Sequence, residues 1–138
     1  MTGKKGGCLC GKIRYTLTED PAMVAACHCK NCQKQTGTAY SVLLGIAASS
    51  VSIDQGQLKV YEDSGTSGMA VERKFCGDCG SPVLSKAIAI DGMLFVKGGT
   101  LDDTSGLTVG AEIWCESKAD WAILADDVAK FPGNPPAD

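Results

Sequence analysis

Cys27-His28-Cys29-Lys30-Asn31-Cys32 gathers three thiols into six residues, and the reading of that stretch organises the rest of the chain. A thiolate is a soft ligand that binds zinc at about 2.3 Å, and protein-bound zinc is usually tetrahedral, so three thiolates leave one position open. An open position can take water or the thiol of a substrate and lower its pKa, so that the thiol reacts as a thiolate. Cys8 and Cys10, at C-x-C spacing, and Cys76 and Cys79, at C-x-x-C spacing, together supply a complete set of four. Cys76-Gly77-Asp78-Cys79-Gly80 has the form of a metal knuckle, its glycines permitting the positive φ values that turn sulfurs and N–H groups towards one ion. A zinc held by all four has no place for substrate, and its role is structural.

From the residues alone, two readings of the three-thiol cluster stay open. In one, Cys27, Cys29 and Cys32 hold a catalytic zinc with a free position; in the other, Cys115 or His28 completes a second closed site. His28, the only histidine, lies between two ligands of an extended segment, where its side chain points the opposite way. It is expected in a supporting or pocket role. Cys115, in the apolar setting Ile113-Trp114-Cys115, reads as an inert buried thiol.

Eight cysteines in 138 residues fall below the density of roughly 8–10% that marks small disulfide scaffolds. No secretory leader pattern opens the sequence, so the expected compartment is reducing and cytoplasmic, with clustered thiols as metal ligands. The longest apolar run, residues 42–48, is far short of the roughly 18 residues of a membrane span. The formal charge is −3, and it stays negative with seven thiolates and two zinc ions, so the overall field does not attract nucleic acid.

At this length the chain is expected to form one domain; 44% hydrophobic residues with only 6% aromatic ones, and 17 glycines, lean towards turn-rich β structure. Alternation and short apolar runs mark strands over 12–17, 22–26, 39–46, 51–53, 58–61, 69–75, 83–85, 88–90, 94–97 and 111–115. Asp91-Gly92 is a hairpin turn pair, residues 64–68 a loop tip, and 33–36 a single helical turn closed by Gly37. The expectation is a mainly β domain over 1–131, of short antiparallel strands with zinc-binding cysteine knuckles, followed by a flexible tail over 132–138.

Three cysteine motifs in this order resemble the glutathione-dependent formaldehyde-activating enzyme family, which includes centromere protein V. They are Gly6-Gly7-Cys8-Leu9-Cys10-Gly11, the run from Cys27 to Gly37, and Phe75-Cys76-Gly77-Asp78-Cys79-Gly80-Ser81. Gly98-Gly99-Thr100-Leu101-Asp102-Asp103 and residues 114–121 match later motifs, so the resemblance covers about residues 6–131. It implies an Mss4-like fold, a structural zinc on Cys8, Cys10, Cys76 and Cys79, and a catalytic zinc on Cys27, Cys29 and Cys32. The implied activity is of carbon–sulfur lyase type, the reversible joining of formaldehyde and glutathione into S-hydroxymethylglutathione. The implied partners are thus a small thiol, glutathione, and an aldehyde. Glu112 stands where many members carry His. Glutathione is anionic and calls for a local cation, for which Lys30, Lys34, Arg73 and Lys74 are candidates by nearness to the cysteines. Two rivals remain, a zinc-stabilised module of the same fold that binds a protein without catalysis, and a redox sensor that releases zinc on oxidation.

Overall fold

The computed structural model describes residues 3–65, 68–124 and 127–136. β1 (Lys4–Gly7), β2 (Arg14–Leu17) and β5 (Val51–Gln55) form an antiparallel sheet in the order β1-β2-β5. A larger sheet is built from β3 (Met23–Cys27), β4 (Ser41–Ala47), β6 (Lys59–Asp63), β7 (Val71–Phe75), β8 (Pro82–Ala87), β9 (Met93–Lys97), β10 (Ala111–Ile113) and β11 (Ala129–Lys130). Its strand order is β11-β10-β3-β4-β9-β8-β7-β6. One α-helix, α1 (Lys30–Thr36), follows β3. The mainly β expectation holds, with one difference: β10 runs parallel to both β3 and β11.

Alternation along β2 places Tyr15 and Leu17 inward, where with Ile13 they pack against Leu44, Ile46, Val83, Leu84 and Val96 of the larger sheet. That is the main core. The opposite face of the large sheet carries the chemistry. Cross-strand partners share a face, and the register runs Ile113 to Cys27 to Ser41, then Leu43 to Lys97, then Phe95 to Ser85 to Arg73. Three-residue β10 thus fixes where Cys27 sits, and Cys27, Lys97 and Arg73 fall on one surface.

Residues 88–90, expected as a strand, form the connection between β8 and β9 instead. Ile90 N–H bonds back to Ala87 C=O, and Ile88 and Ile90 are exposed, so no alternating buried face exists there. The Asp91-Gly92 turn is real, with Gly92 at φ 78°, but the strands it joins are β8 and β9. The strand expected through residue 115 ends at Ile113, because Trp114 adopts a left-handed φ of 57° and Cys115–Ser117 is a 3₁₀ turn. The helical turn expected at 33–36 starts earlier: Cys29 caps α1, its Sγ accepting from Cys32 N–H, and Gly37 closes it at φ 69°. Of the loop tip over 64–68, residues 66 and 67 lie outside the described residues. Within the expected tail, Pro132 and Gly133 accept bonds from Glu116 and Trp114, and Asn134 accepts from the Trp114 indole.

Leu17 is fully buried between the two sheets. Leu17→Ala is expected to lower the free energy of unfolding by about 2–5 kcal/mol, measured by urea titration with metal saturating throughout. An effect under about 1 kcal/mol overturns this assignment of the core.

Candidate metal centres

Cys8, Cys10, Cys76 and Cys79 converge although two come from the loop between β1 and β2 and two from the turn between β7 and β8. Their sulfurs lie within 4.8 Å of one another, with Cys8–Cys10 at 3.6 Å and Cys10–Cys76 at 3.8 Å. The edge of a tetrahedron of sulfurs around an ion at about 2.3 Å is about 3.8 Å, so the donor set fits zinc. Backbone N–H groups point at the sulfurs, Ile13 to Cys8 at 3.2 Å and Asp78 to Cys76 at 3.4 Å. Hydroxyl and backbone donors from Ser81 hold Cys79 down to about 5. Cys10 is pushed up to about 11: the Lys12 N–H favours its thiolate, but desolvation and the neighbouring thiols outweigh it. Four clustered sulfurs therefore do not all ionise unaided, and a divalent cation would balance them.

The second group, Cys27, Cys29 and Cys32, is buried throughout. Cys27 ends β3, Cys29 caps α1 and Cys32 lies in its first turn, so one strand-to-helix corner presents all three sulfurs. Hydrogen bonding to Cys29 and Cys32, together with burial, pushes the Cys27 thiol far up, so this group too needs a cation to be fully ionised. Among the described residues, no fourth Cys, His, Asp or Glu joins the group. Cys115 and His28, the two candidates to close it, lie instead in a separate group with Glu112.

That separate group is a buried polar knot. His28 and Glu112 have no exposed surface, and His28 Nε2 donates to Glu112 Oε1 at 2.9 Å. Lys118 Nζ donates to the same oxygen at 2.9 Å, and Lys130 Nζ lies 3.6 Å from Oε2. Burial raises the Glu112 pKa, but the bonds from Lys118 and His28 outweigh it, and the carboxyl sits below its ordinary value. His28 thus points away from the three sulfurs, as its place in the extended segment predicts, and its ring stacks obliquely on Tyr40. Gln33 Nε2 bonds the carbonyls of His28 and Ser117, tying α1 to the turn after β10.

The three sulfurs open into a pocket of about 160 Å³. Leu43, Val71, Phe95, Ile113 and Trp114 give it apolar walls, and Arg73 is the charged residue on its lining. Arg73 is buried; its Nε donates to Asp63 at 2.7 Å and its Nη1 to Gln35 at 3.0 Å, with Cys32 Sγ 3.7 Å away. Of the four cations expected from sequence, Arg73 therefore meets the cluster, whereas Lys30 and Lys34 are exposed. Lys74 is held by the carboxylate of its neighbour Glu72 at 3.9 Å. Sequence reasoning missed Lys97, which is buried and donates to Ser41 Oγ at 2.7 Å. The signal was present: β9 alternates Met93, Phe95 and Lys97 on one face, placing a lysine at an inward position. Lys97 also borders a second pocket of about 320 Å³, whose walls include Thr36, Thr38, Val42, Pro82 and Thr100. Trp114 and Asn134, bonded to each other, were likewise missed as pocket walls.

A family model described as glutathione-dependent formaldehyde-activating enzyme matches residues 3–117. Among solved structures, a Rhodobacter sphaeroides protein determined as a structural genomics target is similar, with a TM-score of 0.58 at 20% identity over 71% of this chain and 87% of its own. A likeness at that identity shows the shared fold alone. No curated protein matches the chain. No helix among the described residues is long and apolar enough to cross a membrane.

Glu112→Gln keeps the shape of the buried knot and removes its charge. It is expected to lower stability by about 1–3 kcal/mol at neutral pH. Because the folded pKa of Glu112 lies below its ordinary value of 4.5, its contribution is present above that value and lost as pH falls through the folded pKa. In urea titrations from pH 7 downwards the gap between wild type and variant should therefore begin to narrow only below about pH 4.5 and close as pH falls through the lower folded pKa; a constant gap down to full protonation contradicts the assignment.

Proposed function

Because the chain belongs to the glutathione-dependent formaldehyde-activating enzyme family, we propose that it is a carbon–sulfur lyase-type enzyme that reversibly joins formaldehyde and glutathione. In this reading Cys8, Cys10, Cys76 and Cys79 hold a structural zinc and Cys27, Cys29 and Cys32 a catalytic one. The observation that carries it is the contrast between the groups: four sulfurs in a closed set, and three buried sulfurs without a fourth protein ligand, facing a pocket.

When bound at the three thiolates, zinc supplies a Lewis acid that lowers the pKa of a thiol in its free position. The reaction itself is an addition. The glutathione thiol gives up its proton, its sulfur attacks the carbonyl carbon, a C–S bond forms, and the C=O π pair moves to oxygen, which takes a proton. The reverse reaction splits the same bond.

The chain's own residues contribute in three ways. Leu43, Phe95 and Ile113 form apolar walls that limit water around the sulfurs. Arg73, fixed by Asp63 and Gln35, puts a positive charge beside Cys32 and within reach of an anionic substrate. Asn31 Nδ2 bonds both oxygens of Asp63 at 3.0 Å, so the guanidinium's partner is itself held from α1. The proposed compartment is the reducing cytoplasm, where clustered thiols stay available as metal ligands.

Cys29→Ser is expected to abolish S-hydroxymethylglutathione formation while leaving a folded protein with one zinc, whereas Cys79→Ser is expected to impair folding. Circular dichroism, zinc content and formaldehyde consumption in the presence of glutathione read the difference. X-ray absorption of the wild type should show one zinc gaining a sulfur neighbour on addition of glutathione. Two zinc ions already saturated by protein ligands would instead make this a non-catalytic binding module.

A further inference from the structure

Lys97 is 6% exposed, and its ammonium is directed at Ser41, the cross-strand partner of Cys27. A buried ammonium is expensive unless a counter-charge lies near it. Among the described residues no carboxylate forms an ion pair with Lys97, in contrast to Arg73, which is matched by Asp63. What shares its face of the sheet is the thiol group. Lys97, paired with Leu43, stands beside the row that joins Cys27 to Ser41. Burial holds its pKa below the ordinary lysine value, and the charges of Cys32, Cys27 and Cys29 offset that only in part, against Arg73.

A charge count gives this placement its meaning. Three thiolates and one divalent cation leave a single negative charge, and the Arg73–Asp63 pair cancels within itself. Lys97 is then the charge that makes the resting site neutral. A fourth, incoming thiolate adds another negative charge to a buried site, and the nearby ammonium favours that anion over an uncharged ligand.

Building on the proposed function, we infer that Lys97 is a positioning residue that balances charge at the three-thiolate centre and selects an anionic sulfur as its fourth ligand. It acts through the field at the cluster without touching the reacting atoms. Ser41 fixes the direction in which the ammonium points.

Spectroscopy of the cobalt-loaded protein tests this without relying on turnover. Binding of 2-mercaptoethanol, followed by its sulfur-to-cobalt charge-transfer band, is compared with binding of imidazole at the same pH. 2-Mercaptoethanol carries no carboxylate, so anchoring of such a group in the pocket beside Lys97 does not enter the comparison. Lys97→Met is expected to weaken thiol binding roughly tenfold or more, while imidazole affinity changes less than about twofold. Lys97→Gln, which keeps a donor for Ser41 Oγ, is expected to show the same selective loss, and serves if the methionine variant does not fold. Equal losses for both ligands, or none for either, overturn the role of Lys97 and leave the open centre standing. Failure of the wild-type protein to take up the thiol at all overturns the open centre, and this inference with it.

Discussion

Mutual repulsion among clustered thiolates governs how this chain is built. Seven sulfurs meet in two groups, and in each desolvation and the neighbouring thiols push one thiol's pKa up, Cys10 in one and Cys27 in the other. In the proposed reading a cation relieves that repulsion and at the same time fixes segments far apart in sequence. At the closed group the fastening is topological: the loop after β1 meets the turn after β7, so the small sheet is pinned to the large one at a point outside their shared core. The main core is aliphatic, built on Ile13, Leu17, Leu44, Ile46 and Val96 around the buried Tyr15. Cation and core are therefore complementary, one joining the sheets at the edge and the other in the middle.

On the proposed reading, the second group uses the same chemistry for a different purpose because of its surroundings. The closed set is bonded by backbone donors and Ser81 and includes the exposed Cys10, whereas the open set is buried and flanked by two cations delivered on separate strands. Arg73 on β7 and Lys97 on β9 approach from the sheet, and the helix corner supplies the sulfurs. The arrangement depends on register. A slip of one residue in β9 would send Lys97 to the opposite face, into the core lined by Leu44 and Val96, and leave an apolar residue beside the thiols.

The cysteine pairs and the three-thiol run were legible in the sequence because metal-ligand spacing is local, whereas the meeting of Cys8 and Cys10 with Cys76 and Cys79 is made by the fold and was anticipated from a count of four and the family resemblance. Strand existence was largely legible too, since period-two alternation is also local. The misses share a cause, in that they are settled across the sheet. Residues 88–90 look like a strand by composition, yet β9 pairs with β8 and leaves them in the connection. β10 ends at Ile113 because Trp114 turns left-handed to meet Gly133 and Asn134, some twenty residues on. Lys97 looks like an ordinary strand-end lysine until pairing with Leu43 shows which way it faces.

Glu112 illustrates how the open group is held from behind. It is the cross-strand partner of Ala26, one residue before Cys27, and so projects to the side of β10 away from the pocket. There it gathers His28, Lys118 and Lys130, which belong to the cysteine corner, the turn after β10 and β11. A single buried carboxylate thereby connects the segment between two ligands to the chain that forms the pocket's Trp114–Asn134 wall. His28 cannot rotate towards the sulfurs without giving up its bond to a carboxylate that has no access to water. In the proposed reading, the same bond that orients the imidazole thus keeps His28 from filling a fourth position at the sulfur group, which is the property that an exchangeable site requires.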